Sequence, residues 1–103
     1  MVLIITYIER CEERDTAYPG NNIKVIMNVP SWNMCSKYCS ELYGCVLWAW
    51  AQPTYHFKPF RNGCWLKSQK VGKETRLGTV TGGKGCSSGM YRHHIRHILS
   101  LGN

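Results

Sequence analysis

The 103-residue sequence has no C-x-x-C pair, no N-x-S/T sequon, few acidic residues and no long apolar run. Each lack removes a class of protein. Without paired cysteine knuckles, its six cysteines make a poor zinc site. The longest apolar run near the start, residues 1–5, is far too short to cross a bilayer, so no transmembrane segment is expected. The charged start and small-residue cleavage site of a signal peptide are also missing. The chain therefore reads as a mature form, an excised module or an incomplete product. The missing sequon means that glycosylation gives no independent support for secretion. No G-x-S-x-G or H-E-x-x-H motif occurs. No cysteine nucleophile remains once disulfides form, and the adjacent Glu12 and Glu13 lie in a charged stretch that reads as surface. The expectation is a non-enzyme without cofactor or metal.

What the sequence does contain is cysteine and positive charge. An even number of scattered cysteines in so short a chain points to disulfides and to an oxidising, secreted or extracellular setting. The length fits one small domain, and 44% apolar residues separate it from a disordered polar tail. Thirteen Lys and Arg against six Asp and Glu give a formal charge of +7. That balance favours anionic partners such as sulfated glycans, acidic proteins, anionic lipid or nucleic acid. It equally serves solubility, and composition does not decide between the two.

Along the chain, Tyr18-Pro19-Gly20-Asn21-Asn22 reads as a tight turn, because proline presets one dihedral and glycine or asparagine accepts positive φ. A short β-rich run over residues 23–29 follows, with Ile23, Val25 and Met27 on one face. Ser31 is a plausible N-cap for a helix over residues 32–42 that stops near Gly44. Trp32, Cys35, Cys39 and Leu42 form its buried stripe, leaving Asn33, Ser36, Lys37, Ser40 and Glu41 to solvent. Residues 45–51 are apolar throughout and read as a central strand. Alternation there puts Val46, Trp48 and Trp50 on one face and Leu47, Ala49 and Ala51 on the other. Asn62-Gly63 is a turn signal before a strand over residues 64–68. Residues 69–84, rich in Gly, Lys and Thr, read as a mobile loop with a short strand at 77–80; residues 85–92 offer a closing strand.

Six cysteines allow fifteen pairings, and sequence alone does not choose among them. Cys35 and Cys39 sit one helical turn apart, so each can reach a different neighbour. Cys39 lies close to Cys45 across the Gly44 turn, Cys35 could be pinned to a strand, and Cys11 and Cys86 would tie the two ends together.

Four stretches carry a family resemblance: Tyr18-Pro19-Gly20-Asn21-Asn22-Ile23, Pro30-Ser31-Trp32-x-x-Cys35-x-x-x-Cys39, Gly44-Cys45-x-x-Trp48-x-Trp50 and Gly63-Cys64-Trp65-Leu66-Lys67-Ser68. Over residues 11–89 the chain resembles the PAN/apple domains, particularly their shorter variants. The resemblance implies an α+β fold, a curved antiparallel sheet cradling a single helix. It also implies three nested disulfides, Cys11–Cys86, Cys35–Cys64 and Cys39–Cys45. The chain then divides into a β-prone lead-in (1–10), a PAN/apple-like domain (11–90) and a basic C-terminal tail (91–103).

If Cys64 and Leu66 face the helix, Trp65 and Lys67 face away, where Trp65 could stack on a sugar ring or another chain. The competing role for Trp65 is packing against the opposite sheet face or the 55–60 loop. Lys67, Lys70, Lys73, Arg76 and Lys84 bracket one strand end and its loop, and can hold sulfate or carboxylate groups; a solvated charged loop is the plainer reading. His93, His94 and His97 would share a helical face only in part and make a weak metal site, so a disordered or amphipathic tail is expected there. The sequence thus points to a module binding a glycan or an extracellular protein. The alternative is a self-assembling subunit, a homo-oligomer or filament joined through the lead-in and tail. Nucleic acid is disfavoured, since the disulfide framework places the chain in the wrong compartment.

Overall fold

The structure, a computed structural model, describes residues 2–87 and 91–99. Cysteine spacing and β propensity together build its centre. Ser31 accepts a hydrogen bond from the Met34 amide and starts α1 (Trp32–Glu41). The helix lies on one face of a five-stranded antiparallel sheet in the order β2-β6-β4-β5-β3: Glu13–Ala17, Glu74–Gly83, Leu47–Ala51, Cys64–Lys67 and Asn22–Ile26. A separate two-stranded antiparallel ribbon pairs β1 (Val2–Arg10) with β7 (Tyr91–Leu99). Among the described residues no helix is long and apolar enough to cross a membrane.

Between helix and sheet lies the core. Trp48, Trp50, Leu66 and Val80 point from the sheet, Val29 closes one end, and Trp32 stacks on Trp48 with ring centroids 5.5 Å apart. Both tryptophan N–H groups find carbonyls, Trp48 Nε1 on Gly83 and Trp50 Nε1 on Val29, so neither is buried unsatisfied. Three disulfides fasten this small core: Cys11–Cys86, Cys35–Cys64 and Cys39–Cys45. They are the nested pairs that the family resemblance implies. In the chain-entropy model the 75-residue closure is worth about 4 kcal/mol and the 6-residue one less.

The two expected turns form as their residues require, with positive φ at Gly20 and Asn21 and again at Asn62. Several expectations are corrected. Residues 69–84 are not mainly a loop: β6 runs for ten residues between β2 and β4. Its Thr79, Val80 and Thr81 are buried, and its Gly82 is there for packing. Ser36 does not face solvent; it is buried, and its hydroxyl donates to the Cys86 carbonyl, tying the helix to the last disulfide. The tail is neither disordered nor helical over residues 91–99 but a strand on β1. In a strand, positions four apart such as 93 and 97 lie about 13 Å apart, which removes the helical basis for a histidine pair. As for the closing strand at 85–92, residues 85–87 are not in one, 88–90 lie outside the described residues, and 91–92 belong to β7.

Gly82 shows how tight the core is. A Cβ there would stand 2.5 Å from the Trp48 ring and 3.1 Å from the Cys86 sulfur, and Trp48 is fully enclosed. Gly82→Ala is expected to destabilise the oxidised protein by roughly 1–3 kcal/mol through overpacking, read as a lower denaturant midpoint with unchanged m-value. An unchanged midpoint would show that the ring can move aside.

Candidate functional site

The sheet face away from the helix carries small residues at its centre. Ala49 stands between Trp65 on β5 and Thr81 on β6, and Ala51 pairs with Thr79. Where neighbouring side chains are large, small ones leave a depression, and here it is a cleft of about 150 Å³. Tyr18 and the turn after it form one wall. The loop following β4 forms another, presenting Tyr55 and Phe60. This loop is well anchored: the Gln52 amide donates to the Gly78 carbonyl, and Arg61 Nε donates to the Tyr55 carbonyl at 2.6 Å. Trp65 is half-buried, meets Phe60 edge-on at 5.4 Å, and lies across Gly63, where a Cβ would stand 2.5 Å from its ring. It therefore packs on the 55–60 loop and lines the cleft at once.

Lys67 and Arg76 bring positive charge to this aromatic hollow. Lys67 faces away from the helix as expected but is only 5% exposed. Its ammonium donates to the Gly20 carbonyl at 2.9 Å and to Asn22 Oδ1 at 2.6 Å. Burial, and then the charge of Arg76, lower its pKa below the usual lysine value. Arg76 is brought in by an irregularity in β6. The β2–β6 register jumps from Arg14 opposite Val80 to Thr16 opposite Thr75, leaving residues 76–79 bulged opposite Asp15. Asp15 and Gly78 take positive φ, and the Asp15 carboxylate accepts the Gly78 amide at 2.8 Å. Thr79 Oγ1 closes the bulge by donating to the carbonyls of Thr16 and Arg76. Arg76 also pairs with Glu74 at 2.8 Å.

The other basic candidates separate from this pair. Lys70 and Lys73 both bridge to Glu13, each at 3.2 Å, and Lys70 sits 5.3 Å over the Tyr18 ring. The Tyr18 hydroxyl donates to the same carboxylate. Glu13 thus offsets one unit of the charge that the sequence presents as a free basic loop and holds both lysines in ion pairs. Lys84 lies beyond β6, its amide on the Val46 carbonyl, and is not part of the cleft wall. Glu12 is no surface acid either, since its side chain is 4% exposed and held by Arg10 and Arg14. Sequence reasoning overlooked Tyr18, Tyr55 and Phe60 as walls. The signal available for them was alternation: once Ala49 and Ala51 face away from the helix, the flanking loops must cover that face. No cluster of His, Cys, Asp and Glu that could hold a metal occurs among the described residues.

With this geometry in hand, comparison with protein-family models matches residues 16–67 to the PAN domain. The match takes in the turn at Tyr18, the cystine-bearing helix and the strands carrying Ala49 and Trp65, and it spans about half of the chain. The chain belongs to the PAN domain family. Members are generally non-catalytic modules that bind proteins or carbohydrates. No curated protein matches the chain significantly.

The Glu13 cluster gives the cleft wall a pH dependence. Burial acts to raise the Glu13 pKa, but hydrogen bonds from Tyr18, Lys70 and Lys73 outweigh it, leaving the value below 4.5. Tyr18 moves the opposite way, to about 12, through burial and then its bond to Glu13. A carboxylate with a depressed folded pKa contributes stability that is fully present above its unfolded value and lost as pH falls through the folded one. The unfolding midpoint is therefore expected to drop between neutral pH and about pH 3, and Glu13→Gln is expected to flatten part of that drop. Identical pH profiles for the two proteins would refute the assignment.

Proposed function

We propose that this PAN-domain chain is a secreted binding module that recognises an acidic glycan, carboxylated or sulfated, on the sheet face opposite the helix. One observation carries the reading: the cleft has aromatic walls and two cations, and none of its lining residues is acidic. A flat ring such as Trp65 offers a stacking surface for a sugar, while Lys67 and Arg76 supply charge-assisted donors. Lys70 and Lys73, partly exposed on the rim, would meet further acidic groups of the same chain, and Lys84 would add only long-range attraction. Three disulfides and a family of non-catalytic modules support an extracellular role without an enzymatic one. In this reading residues 11–90 are the binding domain, with 1–10 and 91–103 as appendages.

A second reading is self-assembly. It is favoured by the β1–β7 ribbon, which pairs with no strand of the main sheet among the described residues. Two strands alone are marginal in water, and unpaired edges invite a further strand.

Retention on a heparin column at graded salt tests the first reading. Trp65→Ala is expected to weaken retention by about 1 kcal/mol, roughly fivefold, whereas Lys84→Ala shifts it only through net charge. Flow-through of the native protein at low salt would remove the sulfated-glycan reading. Light scattering across a concentration series tests the second: growth in mass with concentration supports assembly, and a strict monomer removes it.

A further inference from the structure

Lys67 carries more charge than its structural bonds require. An ammonium has three N–H donors, and two of them go to Gly20 and Asn22, which pins the turn over the sheet. A neutral amide of similar reach would make comparable bonds. Instead a full charge is buried in a cleft with Arg76 beside it, and no carboxylate among the described residues pairs with it. Among the described residues the carboxylate that pairs with Arg76 is Glu74, while Asp15, across the bulge, accepts the Gly78 amide. Burying a charge without a counter-charge is costly, and neutral oxygen acceptors offset that cost only in part. Arg76, with five N–H donors and one nitrogen on Glu74, keeps donors in reserve.

We propose that Lys67 and Arg76 form a seat for a single oxyanion, the carboxylate or sulfate substituent of a bound sugar. This rests on the reading of the cleft as the contact surface. The lining agrees with one charged substituent and part of a ring, since two cations and three aromatic rings border the same cleft. The third N–H of Lys67 and the free edge of Arg76 hold the oxyanion, and Trp65, Tyr55 and Phe60 bound the ring that carries it. Lys70 and Lys73 are not part of the seat, because Glu13 already occupies them. The seat selects for charge at one position, whereas the rim reads charge density along a chain.

The test uses the whole oxidised chain with inorganic sulfate and acetate as probes and chloride as the reference. Tryptophan fluorescence follows binding, and NMR of the Lys67 ε-methylene follows its titration in the native protein. Saturable sulfate or acetate binding is expected, with a rise in the Lys67 pKa when the anion is present. Lys67→Gln, which removes the charge and retains an amide donor one atom nearer the backbone, should weaken that binding about tenfold or more, and Arg76→Gln should weaken it less. A linear, unsaturable response, a Lys67 titration indifferent to the anion, or equal binding by a folded Lys67→Gln protein would each overturn the seat. Sulfate against acetate separates the two substituents. Heparin retention without any Lys67 response would leave the glycan reading standing on rim charges alone. Saturable small-anion binding without heparin retention would keep the seat and remove the sulfated polymer.

Discussion

The Cys35–Cys64 bond decides which side of this sheet is left over. By fastening the first residue of β5 to the middle of the helix, it fixes the phase of that strand: Cys64 and Leu66 turn inward, Trp65 and Lys67 outward. Pairing then propagates the choice. Trp48 and Trp50, opposite Leu66 and Cys64, enter the core, while Ala49, opposite Trp65, goes to the far face. A slip of one residue would exchange the two faces outright, burying Lys67 under the helix. A covalent tie forbids that slip, so the core and the cleft are set by the same bond.

Much of this was legible in the sequence because its signals are local or covalent. Ser31 caps, Cys35 and Cys39 recur at helical spacing, and Asn62-Gly63 turns as its residues demand. The α+β architecture and its disulfide set follow from those features together with the family resemblance. What was not legible depends on distant partners. β6 contains glycine, lysine and threonine that read as loop, yet Gly82 is required by a tryptophan ring and Thr79 by a bulge closed from β2. Ser36 reads as a solvent residue until the Cys86 carbonyl arrives 50 positions later. Residues 91–99 become a strand only through pairing with residues 2–10, and no window along the sequence contains both.

The same distinction applies to the candidate site. Trp65, Lys67 and Arg76 could be named from alternation and charge, and all three line the cleft. Counting lysines, however, overstated the basic surface. Glu13 lies far from Lys70 and Lys73 in sequence but opposite Thr81 on the neighbouring strand, and it binds both. A formal charge of +7 is therefore not spread as a uniform coat.

Uneven neutralisation also explains why the cleft, rather than the whole face, is the better candidate. A lysine bound to a carboxylate at the rim is screened by solvent and contributes little to affinity. A buried ammonium such as that of Lys67 interacts more strongly with an incoming anion, because the surrounding dielectric is lower. Its orientation is also fixed before the anion arrives, since Gly20 and Asn22 already hold it, and less ordering remains to oppose binding. The bulge at Asp15 serves the same end by bringing Arg76 to the cleft and fastening it through Thr79. In the proposed reading, preorganised charge at the cleft floor would serve selection and paired charge at its rim attraction.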